Sequence, residues 1–168
     1  MIVIGVDPGL ATTGVGIVTE LEGKYEKLHL GCIETDKRLC ASDRLFNIYD
    51  QIIDIISRYS PVHLAIEQIF FNANVKTALS IGQSKGVIML AARKCGLKVF
   101  EYTPLEIKLA IVGYGRAEKF QVQRMVQKLL MLKDLPSPDD AADALAVAIC
   151  HINSYRMKAV MQGVDDDR

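Results

Sequence analysis

Neither sign of charge prevails in this 168-residue chain, where 20 lysines and arginines face 20 aspartates and glutamates for a formal net charge of zero. The total therefore selects no partner by long-range attraction. No C-x-x-C pair occurs among the four cysteines Cys32, Cys40, Cys95 and Cys150, which argues against a zinc site or a disulfide framework. Each lies in an apolar or element-ending context, as expected of buried free thiols in a reducing cytoplasm. No apolar run approaches the roughly 20 residues of a membrane span. The opening MIVIGVDPG has neither a basic n-region nor a small-residue cleavage site, so no signal peptide is expected. Repeats and low-complexity linkers are missing too. The expectation is a cytoplasmic protein with no membrane partner.

What is present is enough apolar material for one core. Half of the residues are hydrophobic, and at this length one domain, residues 1–158, is expected, with 159–168 as a flexible tail. Charge is unevenly placed. From Lys85 to Lys133 ten basic residues face three acids, giving +7, so the remainder carries −7. A basic segment on an acidic body suits an anionic partner, although solvated helix faces produce the same pattern.

Three β patterns open the chain: IVIGVD, GVGIVTE and YEKLHLGCIET, the last two joined by a hairpin turn at LEGK. Apolar residues then recur at helical spacing over 42–59 (Leu45, Ile48, Tyr49, Ile52, Ile53, Ile56), and Ser60-Pro61 stops that helix. VHLAIEQ reads as a buried strand, 75–95 as a helix closed by Gly96, and LKVFEY as a fifth strand. Helical patterns cover 104–111, 117–132 and 138–158, with VGYG as a break between the first two. This order predicts an α/β fold, a mixed five-stranded sheet with helices on both faces.

One residue in PSPDDAADALAVAIC looks misplaced. Ser137, Pro138 and two acids mark a helix start, but Asp143 then sits among alanine, leucine and valine. An unpaired buried carboxylate costs several kcal/mol. Asp7 and Glu67 fall at the carboxyl ends of the first and fourth strands, where α/β folds place their sites. Asp143 shares a helix face with both Asp139 and Asp140, and spacing does not choose between them. If this helix packs its alanine-rich face on the sheet edge, Asp7, Glu67, Asp143 and one of that pair converge. Carboxylates so gathered need protons or cations among them. An all-oxygen set selects Mg²⁺ or Mn²⁺ rather than zinc. Two such ions about 4 Å apart can clamp the attacking and leaving oxygens of an in-line phosphoryl displacement.

The segments GVDPGLATTGVGIV, LAIEQIF, ALSIGQSKGV, VFEYTP, VGYGRAEKFQVQRMV and DAADALAVAI together resemble the RuvC family of bacterial Holliday-junction resolvases, in family order from Ile4 to about His151. The resemblance implies a ribonuclease H-like fold and a homodimer that cuts two opposed strands of four-way junction DNA in recombination and repair. It assigns the catalytic, metal-holding acids to Asp7, Glu67, Asp140 and Asp143, with two Mg²⁺ per site and Mn²⁺ as a substitute. It places the basic residues near the scissile phosphates at Lys108 and Lys119, and a DNA-contacting aromatic at Phe70. It further implies cooperation with the RuvA–RuvB branch-migration complex. Asp139 is left to complement the helix dipole. For the dimer contact, the 75–95 helix is a candidate, because it carries small and apolar residues on more than one face.

Two other functions compete. GVDPGLATTGVGIV also resembles the phosphate-binding hairpin of actin-like and sugar-kinase ATPases, which enclose nucleotide between two such domains where 168 residues supply one. A non-catalytic junction-binding module would need no acid cluster, so Asp7, Glu67, Asp140 and Asp143 weigh against it.

Overall fold

The computed structural model describes residues 1–68 and 75–162. Five strands, β1 (Ile2–Asp7), β2 (Thr12–Leu21), β3 (Lys24–Glu34), β4 (His63–Glu67) and β5 (Lys98–Tyr102), form one sheet in the order β3-β2-β1-β4-β5. The pairs β1–β2 and β2–β3 are antiparallel, whereas β1–β4 and β4–β5 are parallel. Five helices complete the described residues: α1 (Ala41–Tyr59), α2 (Val75–Lys94), α3 (Pro104–Val112), α4 (Lys119–Leu129) and α5 (Asp139–Gln162). The mixed sheet expected from the sequence is present.

Local chemistry explains the element ends. Glu22 and Gly23 both take positive φ, 53° and 77°, the two-residue turn whose twist suits a hairpin. Ser60 turns left-handed after α1 and donates its N–H to the Ile56 carbonyl, and Pro61 forbids continuation. At α3 the Thr103 side chain accepts from the Glu106 N–H, the Glu106 carboxylate accepts from the Thr103 N–H, and Pro104 fills the first helical position.

Strand alternation divides the core into two layers. Ile4, Val6, Val15, Ile17, Leu64 and Ile66 face α1 and α2, where Ile48, Ile52, Ile56 and Ile88 cover them. Val3, Val18 and Ala65 face the other way, toward α5. That helix lies between the sheet and the pair α3 and α4, whose Ile107, Ile111, Val122 and Val126 close over it. A helix covered on all sides is apolar on all sides, which accounts for ALAVAIC.

Three details depart from expectation. α5 crosses the central strands β1 and β2 rather than a sheet edge. It runs from Asp139, one residue later than expected, with the Pro138 carbonyl accepting from the Ala142 N–H, to Gln162, so that 159–162 continue the helix where a tail was expected. Of the four free thiols only Cys150 is buried; Cys32 and Cys95 are half-buried, and Cys40, immediately before α1, is exposed. No helix among the described residues is long and apolar enough to cross a membrane.

Candidate active site

Asp7 and Glu67 end adjacent parallel strands: Val6 pairs with Ile66, and each acid is the next residue. Alternation puts both on the α5 side, because Val3 and Ala65 on the same strands face that layer. The turn after Asp7 is tied down. Thr13 Oγ1 donates to the Gly9 carbonyl at 2.6 Å, Thr35 Oγ1 donates to the Leu10 carbonyl at 2.5 Å, and Arg44 reaches both Thr35 Oγ1 and the Leu10 carbonyl.

Glycines set where α5 sits. Gly14 pairs with Asp7 across the sheet, and a β-carbon built there would stand 1.9 Å from the Asp140 carbonyl oxygen. One built on Gly5 would meet the Ala144 carbonyl at 2.1 Å, and one on Gly16 the Leu145 nitrogen at 2.8 Å. Helix backbone therefore rests on strand backbone, and the first turn of α5 is set over the end of β1. Position along the helix axis has its own lock. Buried His151 shares hydrogen bonds with the Tyr102 hydroxyl at 2.8 Å and with His63 at 3.0 Å. Satisfied buried polar contacts of this kind fix one packing arrangement.

Burial, reinforced by crowding, sets the charge state of Asp7, Glu67 and Asp143. Burial, then the charges of Glu67, Asp143 and Asp140, push Asp7 up to about 8, with Lys119 opposing. Burial and Asp143 raise Glu67 to about 7, against the pull of Lys119 and Lys108. Burial likewise raises Asp143 despite its hydrogen bond to Lys119. Burial pulls the Lys119 ammonium down, but Asp143 and Asp139 outweigh it and raise it. Lys119 Nζ stands 2.8 Å from Asp143 Oδ2. Glu67, Lys108, Lys119 and Asp143 line a cleft of about 190 Å³ with Pro104, Ile107, Val122 and Ala146.

The structure thus sets Asp7 within electrostatic reach of Glu67, Asp140 and Asp143, with Lys119 acting on Asp7 and both Lys108 and Lys119 on Glu67. Phe70 lies outside the described residues. Among the described residues no three His, Cys, Asp or Glu side chains are oriented to grip one ion. The donor set nonetheless fits a hard divalent cation: it is all carboxylate oxygen, and burial together with mutual repulsion raises Asp7 and Glu67. Several basic residues of the 85–133 segment do local work instead. Lys85 pairs with Glu101 at 2.5 Å, Arg93 donates to the Leu97 carbonyl, Lys94 stands over Tyr49, and Arg124 stands over Phe120.

Two features escaped sequence reasoning. The glycines of β1 and β2 were legible as strand glycines, which mark close backbone approach. Asp139 contacts Lys119 at 3.3 Å and accepts from Gln123 Nε2 at 3.1 Å, so it does more than complement a dipole. The available signal was Lys119 itself, a cation on the first turn of a helix, where the macrodipole disfavours it.

Comparison with known proteins agrees over nearly the whole chain. Residues 3–151 match the family model described as crossover junction endodeoxyribonuclease RuvC. The protein of that name from Halothermothrix orenii is 51% identical over 157 residues, covering 94% of this chain and 95% of the relative. Thermus thermophilus RuvC superposes with a TM-score of 0.88 at 35% identity, covering 94% of this chain and 97% of that one. The same protein in complex with Holliday junction substrate gives a TM-score of 0.90 at 34% identity, with coverages of 94% and 96%. The fold is the ribonuclease H-like one expected from the sequence.

Proposed function

The chain belongs to the RuvC family of crossover junction endodeoxyribonucleases, and on that premise we propose that it resolves four-way DNA junctions by paired, symmetric nicks in recombination and repair. The observation that carries the assignment is local. Two strand-end carboxylates, Asp7 and Glu67, face the first turn of α5 beside a cleft that two lysines enter.

Asp7, Glu67, Asp140 and Asp143 would hold Mg²⁺, two ions per site, with Mn²⁺ able to substitute. The bound cations supply positive charge that neutralises the carboxylates and the phosphate in the transition state. Lys108 and Lys119 hold phosphate oxygens and add fixed positive charge where the transition state is most negative. The buried floor of Ile107, Val122 and Ala146 keeps the cleft low in dielectric, which strengthens those contacts. Water attacks phosphorus in line, a new P–O bond forms, and the P–O3′ bond breaks. The products carry 5′-phosphate and 3′-hydroxyl ends. By resemblance, Phe70 stacks on a base at the junction centre.

Two opposed cuts require two sites, which supports a two-fold homodimer. The outward face of α2 supports it as the contact. Leu79, Gly82, Gln83, Gly86 and Leu90 recur there at spacings of three and four, all exposed. A β-carbon on Gly86 would meet nothing within 4 Å among the described residues, so the absent side chain leaves room for a neighbour. Membership of this family supports a cytoplasmic setting and cooperation with the RuvA–RuvB branch-migration complex.

A synthetic mobile four-way junction tests the function. Incubation with Mg²⁺ is expected to give paired nicks at symmetric positions, with linear duplex left intact. Equal nicking of linear duplex would leave a nuclease without junction selectivity.

A further inference from the structure

α4 and α5 meet at the rim of the cleft through four polar side chains. Lys119 and Gln123 lie four residues apart on one face of α4, as do Asp139 and Asp143 on α5. Lys119 Nζ is 2.8 Å from Asp143 Oδ2 and 3.3 Å from Asp139 Oδ2. The other Asp139 oxygen, Oδ1, accepts from Gln123 Nε2 at 3.1 Å. The two carboxylates share the same ammonium. Asp143 lines the cleft and its side chain is 27% exposed; Asp139 lies outside it at 71%.

Resting on the nuclease assignment made above, two demands on Asp143 then conflict. Its carboxylate is needed at the reacting phosphate, and it is also the nearest partner of Lys119. Once Asp143 turns inward, the ammonium keeps only what remains around it. Lys119 begins α4, so the positive end of that helix pushes the ammonium away, and its long stem has many conformers to visit. Asp139 is the counterweight. Consecutive helical residues point about 100° apart, so Asp139 can face α4 while Asp140 faces the sheet.

We propose that Asp139, braced by Gln123, is a positioning residue that keeps the Lys119 ammonium at the cleft rim while Asp143 serves the reaction. Asp139 touches neither phosphate nor metal ion in this role; it acts through Lys119.

The test is a double-mutant cycle read by single-turnover cleavage of a four-way junction, with junction affinity in chelator and melting temperature measured alongside. Asp139→Asn is expected to slow cleavage about fivefold, leave metal-free affinity unchanged or tighter, and leave the melting temperature in place. Gln123→Ala is expected to slow it about twofold in the same sense. In a Lys119→Ala background, Asp139→Asn is expected to add nothing. Asp139→Asn at full rate, or an equal loss with and without Lys119, overturns the tether. Lys119→Ala cutting at the normal rate overturns the tether while the nuclease assignment stands, whereas no junction cleavage by the unsubstituted protein overturns the assignment itself.

Discussion

Adding one methyl group at Gly14 is expected to move the active site. The new carbon would lie 1.9 Å from the Asp140 carbonyl oxygen, where ordinary contact begins at 3.4 Å, so about 1.5 Å must be found. The obstacle is helix backbone, not the tip of a side chain, and β2 is held in the sheet by neighbours on both sides. The start of α5 must therefore lift. Overpacking of this kind costs about 1–3 kcal/mol, which for a chain of this size lowers the melting temperature by roughly 2–12 °C. Activity is hit harder, because a displacement of about 1 Å in a reacting group can cost on the order of 100-fold. Thermal melts and single-turnover junction cleavage, the latter well below both melting temperatures, separate the two effects. Gly23→Ala is the control. Gly23 sits at φ 77° in the β2–β3 turn, so alanine there lowers stability by about 1 kcal/mol and is expected to leave cleavage intact. Normal cleavage by Gly14→Ala, or an equal loss in Gly23→Ala, would refute the placement of α5 by backbone contact.

Three further outcomes are expected. In metal-free protein the folded state keeps protons on Asp7 up to about pH 8 and on Glu67 up to about pH 7, whereas unfolded carboxyls lose theirs near pH 4. The folded state therefore binds more protons across that window, and the sites' contribution to stability is lost as pH rises through it. Asp7→Asn is expected to melt above wild type in chelator by a margin that grows from pH 5 to pH 8, and a margin independent of pH would contradict the raised Asp7 carboxyl. Asp140→Asn and Asp143→Asn are each expected to slow junction cleavage by more than about tenfold; an active Asp140→Asn protein beside a dead Asp139→Asn one would shift the α5 assignment by one residue. Gly86→Leu is expected to convert a dimer to an 18.6 kDa monomer in sedimentation at micromolar concentration, without lowering the monomer's stability, since no described residue lies within 4 Å of a β-carbon at that site. A persistent Gly86→Leu dimer would move the interface away from the outward face of α2.

Local signals made most of the fold legible. The six-residue run IVIGVD is β1 end to end, because a strand buried on both faces has no polar position to blur it. Ser60-Pro61 ends α1 where steric exclusion says it must. Asp7 and Glu67 were legible as strand-end acids, and Asp143 as a charge with no structural excuse. What could not be read was distance across the sequence. Nothing local to Gly14 names Asp140 as the atom above it, so α5 was expected at the sheet edge when it crosses the centre. The start of α5 slipped by one residue because Ser137 looks like a cap, while the Pro138 carbonyl takes that place. Asp139 was read by its position on α5 alone. Its partners Lys119 and Gln123 belong to another helix, and helix-to-helix pairing leaves no periodic trace in either segment.

The central claim is that four carboxylates from β1, β4 and α5 do the cutting, while junction binding rests on other groups. Binding and cleavage of one mobile four-way junction by Asp7→Asn protein, measured side by side at fixed Mg²⁺, test it most directly. The predicted result is affinity at or above that of the unsubstituted protein, since a negative charge near phosphate is gone, with no nicks of either strand pair. Nicking at the normal rate by Asp7→Asn protein would contradict it.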